Sequence, residues 1–144
     1  MATIQNRADE LVAEFELFPD WMDKYSYLIE LGEEADPLPE ELKIKQNLIS
    51  GCQSQLWLVA DYQDGVISFK TDSDAIITKG IARVLTKVFN GSSPDEIIDN
   101  DLEFLSKIGL KEHLSPTRAN GLNSMIKQMK LYALVYKTKY GNSI

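Results

Sequence analysis

Residues 56–70 read LWLVADYQDGVISFK, and this stretch decides the fold. Residues 56–60 are of types that favour β-strands, and residues 61–65 have the polar and glycine composition of a turn. Residues 66–70 then alternate between apolar and polar side chains, so that one face of the second strand is apolar. The pattern predicts an antiparallel β-hairpin.

Before the hairpin, the sequence predicts two helices, a loop and a short strand. Apolar residues recur at helical spacing over residues 3–17, and Asp20 is a suitable N-cap for a second helix. Residues 35–42 contain two prolines, which favour a loop. Residues 45–49 could form a third, shorter strand that leads into the turn before the hairpin.

After the hairpin, helices return. Ser73 or Asp74 can cap a helix whose apolar stripe ends near residues 90–91. Residues 93–96 combine a hydroxyl cap, a proline and a glutamate, which predicts a helix start, and residues 115–116 begin a last helix that runs to the C-terminus. The sum is an α+β fold, with helices packed against a small three-stranded antiparallel sheet.

The length and composition are typical of one globular domain spanning residues 1–144, because 44% of the residues are hydrophobic and 26% are charged. The net charge of −7 argues against nucleic-acid binding, which needs clustered lysine and arginine. No apolar run is long enough to span a membrane, and the acidic N-terminus resembles neither a signal peptide nor a transit peptide. We therefore expect a cytoplasmic protein with no nucleic-acid or membrane partner.

The chain contains one cysteine and one histidine. A structural zinc site takes several such ligands, and an iron–sulfur cluster held by the chain alone takes several thiolates, so we expect neither a metal nor a cofactor. A single cysteine forms no internal disulfide, which fits a reducing compartment.

The residues Gly51-Cys52-Gln53-Ser54-Gln55 lie between the short strand and the hairpin. A lone cysteine is often a small, inert core residue. Here the preceding glycine lets the backbone turn, the three polar residues that follow suit a core strand poorly, and loops on a rigid sheet commonly carry reactive groups. We therefore predict that Cys52 is a reactive thiol.

The residues alone leave two chemistries open for this thiol. A cysteine hydrolase needs a base, and the single histidine, His113, is far along the chain. Sulfur transfer needs less, because the thiolate attacks the outer sulfur of a partner's persulfide and the partner brings the cofactor and the acid–base groups. With no second cysteine, no internal disulfide can discharge a bound persulfide.

Four motifs resemble the SufE family of sulfur acceptors, which includes the paralogous CsdE proteins. They are GCQSQLW at residues 51–57, DSDA at 72–75, KG at 79–80 and HLSPTRANGL at 113–122. The resemblance covers nearly the whole chain. It implies a fold similar to that of the iron–sulfur scaffold protein IscU, and a pyridoxal-phosphate cysteine desulfurase as partner.

The resemblance further implies that Cys52 is the persulfide-forming residue and that the chain is a sulfur-transfer accessory protein rather than an enzyme. The expected partner is a desulfurase of the SufS or CsdA kind, which the chain stimulates, and an iron–sulfur scaffold complex receives the sulfur. Two alternatives stay open: a non-covalent activator of the desulfurase, and a stand-alone cysteine hydrolase. Neither a monomer nor a homodimer is favoured.

Several residues near the cysteine are candidates for supporting roles. Gln53, Ser54 and Gln55 either hydrogen-bond the cysteine loop or form a polar turn. Gly51 gives that loop its backbone freedom. Asp74 either caps the following helix or braces the cysteine loop, and we favour the cap.

Two residues near the last helix, His113 and Arg118, complete the candidate site. His113 is expected to brace the loop before Ser115 rather than act as a base. Arg118 lies in the first turn of the helix, where the helix dipole disfavours a positive charge, so it is a candidate for binding a partner or a substrate carboxylate. The alternative is a surface arginine paired with a nearby acid. Gly121, inside the helix, predicts close packing against another backbone.

Overall fold

The computed structural model describes residues 3–50 and 54–141. Its helices are α1 (Ile4–Glu16), α2 (Trp21–Glu34), α3 (Ile76–Phe89), α4 (Pro94–Asp99), α5 (Glu103–Ile108), α6 (Leu110–His113) and α7 (Pro116–Tyr136). Its strands are β1 (Leu56–Gln63) and β2 (Val66–Ser73), which pair antiparallel. Short 3₁₀ turns lie at Glu40–Leu42 and Lys45–Asn47, and a π-helical turn follows α7 at Lys137–Gly141. The predicted α+β class is confirmed.

The hairpin turns within two residues, Asp64 and Gly65, and both have a positive φ, 54° and 83°. Such a turn matches the right-handed twist of the flanking strands, and Asp-Gly is one of its preferred sequences. β1 therefore extends through residues 61–63, which the composition had predicted to be part of a longer turn. Pairing runs over all 8 residues of each strand.

The predicted third strand at residues 45–49 is wrong. A 3₁₀ turn replaces most of it, and in the described residues the sheet has two strands. The Asn47 amide donates to the Leu42 carbonyl at 2.8 Å, and this local bond favours a turn over a strand. Pairing of this described segment with β1 is confined to a bridge between Leu48 and Trp57.

α3 lies between the hairpin and α2 and supplies much of the core. Nine of its 14 residues are buried, which is more than one helix face can hold. The burial has this extent because β2 covers one side of the helix while α1, α2 and α7 pack against other sides. α3 is therefore the element against which the other parts of the site are positioned.

α2 and α3 cross at two glycines, Gly32 and Gly80. A Cβ on Gly80 would lie 2.2 Å from the Leu28 carbonyl oxygen, and a Cβ on Gly32 would lie 2.7 Å from the Gly80 nitrogen. Because side-chain carbons do not approach backbone atoms so closely, the two backbones meet only where side chains are absent. This contact fixes the start of α3 relative to α2.

α7 is anchored at both ends. The Ser115 hydroxyl accepts from the Arg118 N–H at 3.3 Å as an N-cap, and Pro116 follows in the first turn, as predicted. At the other end, the Tyr136 hydroxyl donates to the Ala60 carbonyl of β1 at 3.2 Å. Although α7 spans 21 residues, no helix in the described part of the chain combines the length and apolar character needed to cross a membrane.

Candidate functional site

The predicted site residues fall into two groups. Gly51, Cys52 and Gln53 lie outside the described residues. The structure describes the others, which are Ser54, Gln55, Asp74, His113 and Arg118. No group of three or more His, Cys, Asp or Glu side chains within residues 3–50 and 54–141 is placed to hold a metal ion.

Asp74 braces the backbone just after the cysteine segment. Its Oδ1 accepts from the Gln55 N–H at 3.0 Å, and its own N–H donates to the Gln55 carbonyl at 3.3 Å. The Ser73 hydroxyl donates to the same carbonyl at 2.7 Å. The predicted helix cap is therefore wrong: the N-cap of α3 is Ala75, without a side-chain hydrogen bond, because the Asp74 carboxylate is turned toward Gln55.

The chain before the cysteine segment is also tied to the hairpin. The Ile49 N–H donates to the Leu56 carbonyl at 2.9 Å, and both side chains are buried. Leu48 pairs with Trp57 next to this bond. The residues just before and just after the cysteine segment are therefore both hydrogen-bonded to the same end of the hairpin, where β1 begins and β2 ends.

A cleft of about 410 Å³ opens between the starts of α3 and α7, beside Ser54. Its lining combines apolar side chains with hydroxyl groups and one guanidinium. The residues that line it include Ser54, Ala75, Ile77, Ser115, Arg118 and Met125. Two predicted site residues that are far apart in sequence, Ser54 and Arg118, thus line the same cleft.

Arg118 is held over an aromatic ring rather than by an acid. Its Cζ lies 5.9 Å from the centroid of the Tyr25 ring, a distance that allows a cation–π contact. Within the described residues, its guanidinium forms no ion pair. The alternative of a surface arginine paired with a nearby acid is therefore not what the described residues show.

His113 is the last residue of α6, and its side chain contacts the first residue of α2 and the residue that precedes α6. Its ring stacks on Trp21, with 4.4 Å between the centroids and 13° between the planes. Its Nδ1 lies 2.8 Å from the Gly109 carbonyl oxygen. The segment that His113 braces is therefore the corner at Gly109, and not the predicted loop before Ser115.

Asp72 organises the same end of the hairpin, although it is absent from the predicted site residues. Its side chain is 4% exposed and lies within 3.4 Å of the Nζ atoms of both Lys43 and Lys79. Its oxygens also accept from the N–H groups of Leu38 at 2.9 Å and Ser73 at 2.8 Å. The carboxylate thus ties the loop before β1 to the end of β2 and to α3.

The electrostatics of Asp72 favour its charged form. Burial by itself raises the pKa of the Asp72 carboxyl, but the two N–H donors and the two lysines outweigh burial, so the pKa lies below its usual range. Lys43 also lies 5.6 Å from the centroid of the Trp57 ring. The sequence does contain a sign of this network, because the DSDA motif places an acid, Asp72, near the end of β2, whose other buried residues are apolar.

The chain is similar in sequence to proteins of one family. The SufE family model, described as an Fe-S metabolism associated domain, matches residues 9–133. An uncharacterized SufE-like protein of Rhizobium meliloti (strain 1021) is 40% identical over 127 residues, which cover 85% of this chain and 91% of that protein. Another, from Rhizobium etli, is 40% identical over 132 residues, covering 88% and 89%.

The fold is similar to that of a solved structure. A hypothetical protein from Thermus thermophilus, determined in solution, superposes with a TM-score of 0.75 over 92% of this chain and 96% of that chain. The two sequences are 20% identical, so the likeness concerns the fold alone. It supports the same α+β arrangement of helices around a hairpin.

Proposed function

Because this chain belongs to the SufE family, which is associated with Fe–S metabolism, we propose that it is a sulfur acceptor and carrier for iron–sulfur cluster assembly. Its donor is a pyridoxal-phosphate cysteine desulfurase, which holds the cofactor and the acid–base groups. Cys52 receives the sulfur, and removal of the donor's persulfide stimulates the desulfurase. The chain works in the cytoplasm and passes the sulfur to an iron–sulfur scaffold complex.

The transfer is a displacement at sulfur. The Cys52 thiolate attacks the outer sulfur of the donor's protonated cysteine persulfide, and a new S–S bond forms to Cys52. The donor's S–S bond breaks, and the donor cysteine leaves as a thiolate while the outer sulfur moves with its proton. One S–S bond forms for each one broken, so the step consumes no oxidant or reductant.

The observation that supports the proposal is that Ser54 and Arg118 line the same cleft. Cys52 precedes Ser54 by two residues, and two residues of chain span at most about 7 Å. A positive charge within reach of the Cys52 sulfur would stabilise the attacking thiolate and, after loss of the proton, the persulfide anion. Because Arg118 forms no ion pair within the described residues, its charge is available for this purpose.

Mass spectrometry after incubation with the desulfurase and cysteine tests the proposal. The wild-type protein is expected to gain the mass of one sulfur atom, and an excess of a small thiol should remove it. Cys52→Ser should fold normally by circular dichroism and gain nothing, because the chain has no second cysteine. A sulfur-sized gain that persists in Cys52→Ser would overturn the role of Cys52.

A second variant, Cys52→Ala, separates a carrier from a non-covalent activator. A carrier without its thiol no longer accelerates the desulfurase, whereas an activator that works by binding alone would keep its full effect. Unchanged stimulation by Cys52→Ala would therefore replace the carrier with the activator. The contacts of His113 with Gly109 and Trp21 favour a structural role for this residue over that of a hydrolase base.

A further inference from the structure

A second cavity, of about 330 Å³, lies between α1 and α3 and shares no residue with the cleft beside Ser54. Two carboxylates one helical turn apart, Glu10 and Glu14, line it from α1, and two cations one turn apart, Arg83 and Lys87, line it from α3. Opposite charges from two helices therefore line the same cavity. Its other lining residues are Arg7, Leu11, Thr86 and Asn90.

These opposite charges do not pair with each other. Within residues 3–50 and 54–141, no ion pair joins Arg83 or Lys87 to either glutamate. Like charges one turn apart on a helix repel each other, so each pair would gain from an opposite charge placed beside it. The Arg83 Nε is buried and has no hydrogen-bond partner in the part of the chain that the structure describes. Native proteins seldom leave a buried donor unsatisfied, so Arg83 is a group that calls for an acceptor.

Hydrogen bonds elsewhere hold the α1 side of the cavity in position. The Tyr27 hydroxyl of α2 donates to the Glu14 carboxylate. The Arg7 guanidinium donates to the Val88 carbonyl at 2.9 Å and to the Ser92 hydroxyl. Glu14 is therefore bound on the α2 side, and α1 is tied to the end of α3.

We propose that this cavity binds a free α-amino acid as a zwitterion. The ligand's carboxylate accepts from Arg83 and Lys87, and its ammonium group donates to Glu10 and Glu14. A planar carboxylate matches the geometry of a guanidinium, and hydrogen bonds between charged groups are stronger than neutral ones. A volume of about 330 Å³ is at the small end for ligand cavities, which suits a small molecule. The inference involves neither Cys52 nor sulfur transfer.

The charges around the cavity favour a zwitterion over a ligand with a single charge. A simple anion would be attracted by Arg83 and Lys87 but repelled by the two glutamates, and a simple amine would meet the reverse. A ligand with both charges interacts favourably with both helices. Removing one charge from the ligand therefore tests the assignment directly.

Isothermal titration calorimetry of the full chain with glycine, L-alanine, L-leucine and L-glutamate tests the proposal. These probes share the α-ammonium and α-carboxylate groups and differ in their side chains. At least one is expected to bind with a dissociation constant below about 1 mM, and to raise the melting temperature as its concentration increases. The N-acetyl and the carboxamide derivatives of that probe should each bind at least about tenfold more weakly, because each has lost one charge.

Substitutions in the cavity test which residues bind the ligand. Arg83→Gln and Glu10→Gln are each expected to weaken binding about tenfold, and Lys87→Gln repeats the test on α3 if Arg83→Gln fails to fold. Glu16→Gln, which removes an exposed acid of α1 outside the lining, should stay within about twofold of wild type. Lys70→Gln should do the same, since Lys70 lines a neighbouring cavity of about 340 Å³ that also includes Arg83.

Four results would overturn the amino-acid site. They are no binding of any probe up to about 10 mM, full-strength binding of either capped derivative, unchanged binding by the folded cavity variants, and equal weakening by either control. Equal weakening by Lys70→Gln would assign the ligand to the neighbouring cavity instead. The sulfur mass gained by Cys52 is measured in a separate reaction, so the proposed function and the amino-acid site are refuted by different experiments.

Discussion

Arg118 occupies an electrostatically unfavourable position. A positive charge in the first turn of a helix opposes the helix dipole and typically costs about 0.3–1 kcal/mol. The contact with the Tyr25 ring offsets part of this cost. Since the guanidinium lines the cleft beside Ser54, we expect its loss to affect the proposed sulfur chemistry more than the stability of the fold.

Arg118→Ala is expected to reduce stimulation of the desulfurase roughly fivefold or more, because under the proposed function the sulfur anion would lose a positive charge at the cleft. The free energy of unfolding should change by less than about 1 kcal/mol, the size of an exposed cation–π contact. Initial desulfurase rates and urea unfolding measure the two effects. Lys111→Ala, which removes an exposed cation from α6, is the control. Equal stimulation by Arg118→Ala and wild type would remove Arg118 from the site.

The hydrogen-bond partner of Asp74 could not be predicted from the sequence. An aspartate between a strand and a helix satisfies the composition rule for a helix cap, and the same position also allows a brace on a neighbouring segment. The choice depends on where the Gln55 backbone lies in space. The meeting of Ser54 and Arg118 has the same origin, because no local pattern reports that the two residues share a cleft.

At the scale of elements, the contact between α2 and α3 limits what the site can tolerate. The two helices approach each other through Gly32 and Gly80, and α3 carries side chains that line the cleft. Any increase in the distance between these helices moves the start of α3 relative to Ser54. The glycines therefore act on the site through the position of α3.

Gly80→Ala is expected to destabilise the protein by about 1–3 kcal/mol, because its Cβ would meet the Leu28 carbonyl oxygen, and this overpacking exceeds the gain in helix propensity. Thermal or urea unfolding measures the loss. Gly65→Ala is the control, since it also removes a glycine but has no atom within 4 Å of the added carbon, only a φ of +83°. A loss at Gly80 of less than about 1 kcal/mol would contradict the packing argument, and any loss at Gly65 measures the strain of its positive φ alone.

The start of α4 was predicted correctly, whereas the strand predicted at residues 45–49 was wrong. The capping box of α4, formed by Ser93 and Glu96, follows from its sequence because both bonds lie within one turn. A strand at residues 45–49 would have to pair with β1 along its whole length, but the pairing is limited to the bridge between Leu48 and Trp57. The side chain of Asn47 instead bonds the nearby Leu42 carbonyl, and this local contact decides the conformation.

For the molecule as a whole, one buried carboxylate joins three segments of an acidic chain. The net charge is −7, yet Asp72 is held between two lysines and binds the Leu38 backbone. Because the pKa of Asp72 is lower in the folded protein than in the unfolded chain, its charge stabilises the fold above the unfolded pKa. That stabilisation is lost as the pH falls through the folded pKa.

Asp72→Asn is expected to destabilise the protein by about 1–3 kcal/mol near neutral pH, because two lysines lose a buried charged partner. The difference from wild type should persist down to about pH 4, near the pKa of an unfolded aspartate, and shrink at lower pH. Urea unfolding across this range measures it, with Asp61→Asn, an exposed carboxylate on β1, as the control. A difference that does not vary with pH would contradict the assignment.

The two attachments of the cysteine segment also set how far its cargo can move. Ile49 and Gln55 are both hydrogen-bonded to the hairpin, and each is three residues from Cys52, so the cysteine can rise at most about 10 Å above them. Under the proposed function, sulfur bound to Cys52 would therefore travel by diffusion of the entire molecule and not on a long swinging arm. A recipient of that sulfur would have to present its receiving atom within about 10 Å of these two attachment points, and one that keeps it deeper would have to open first.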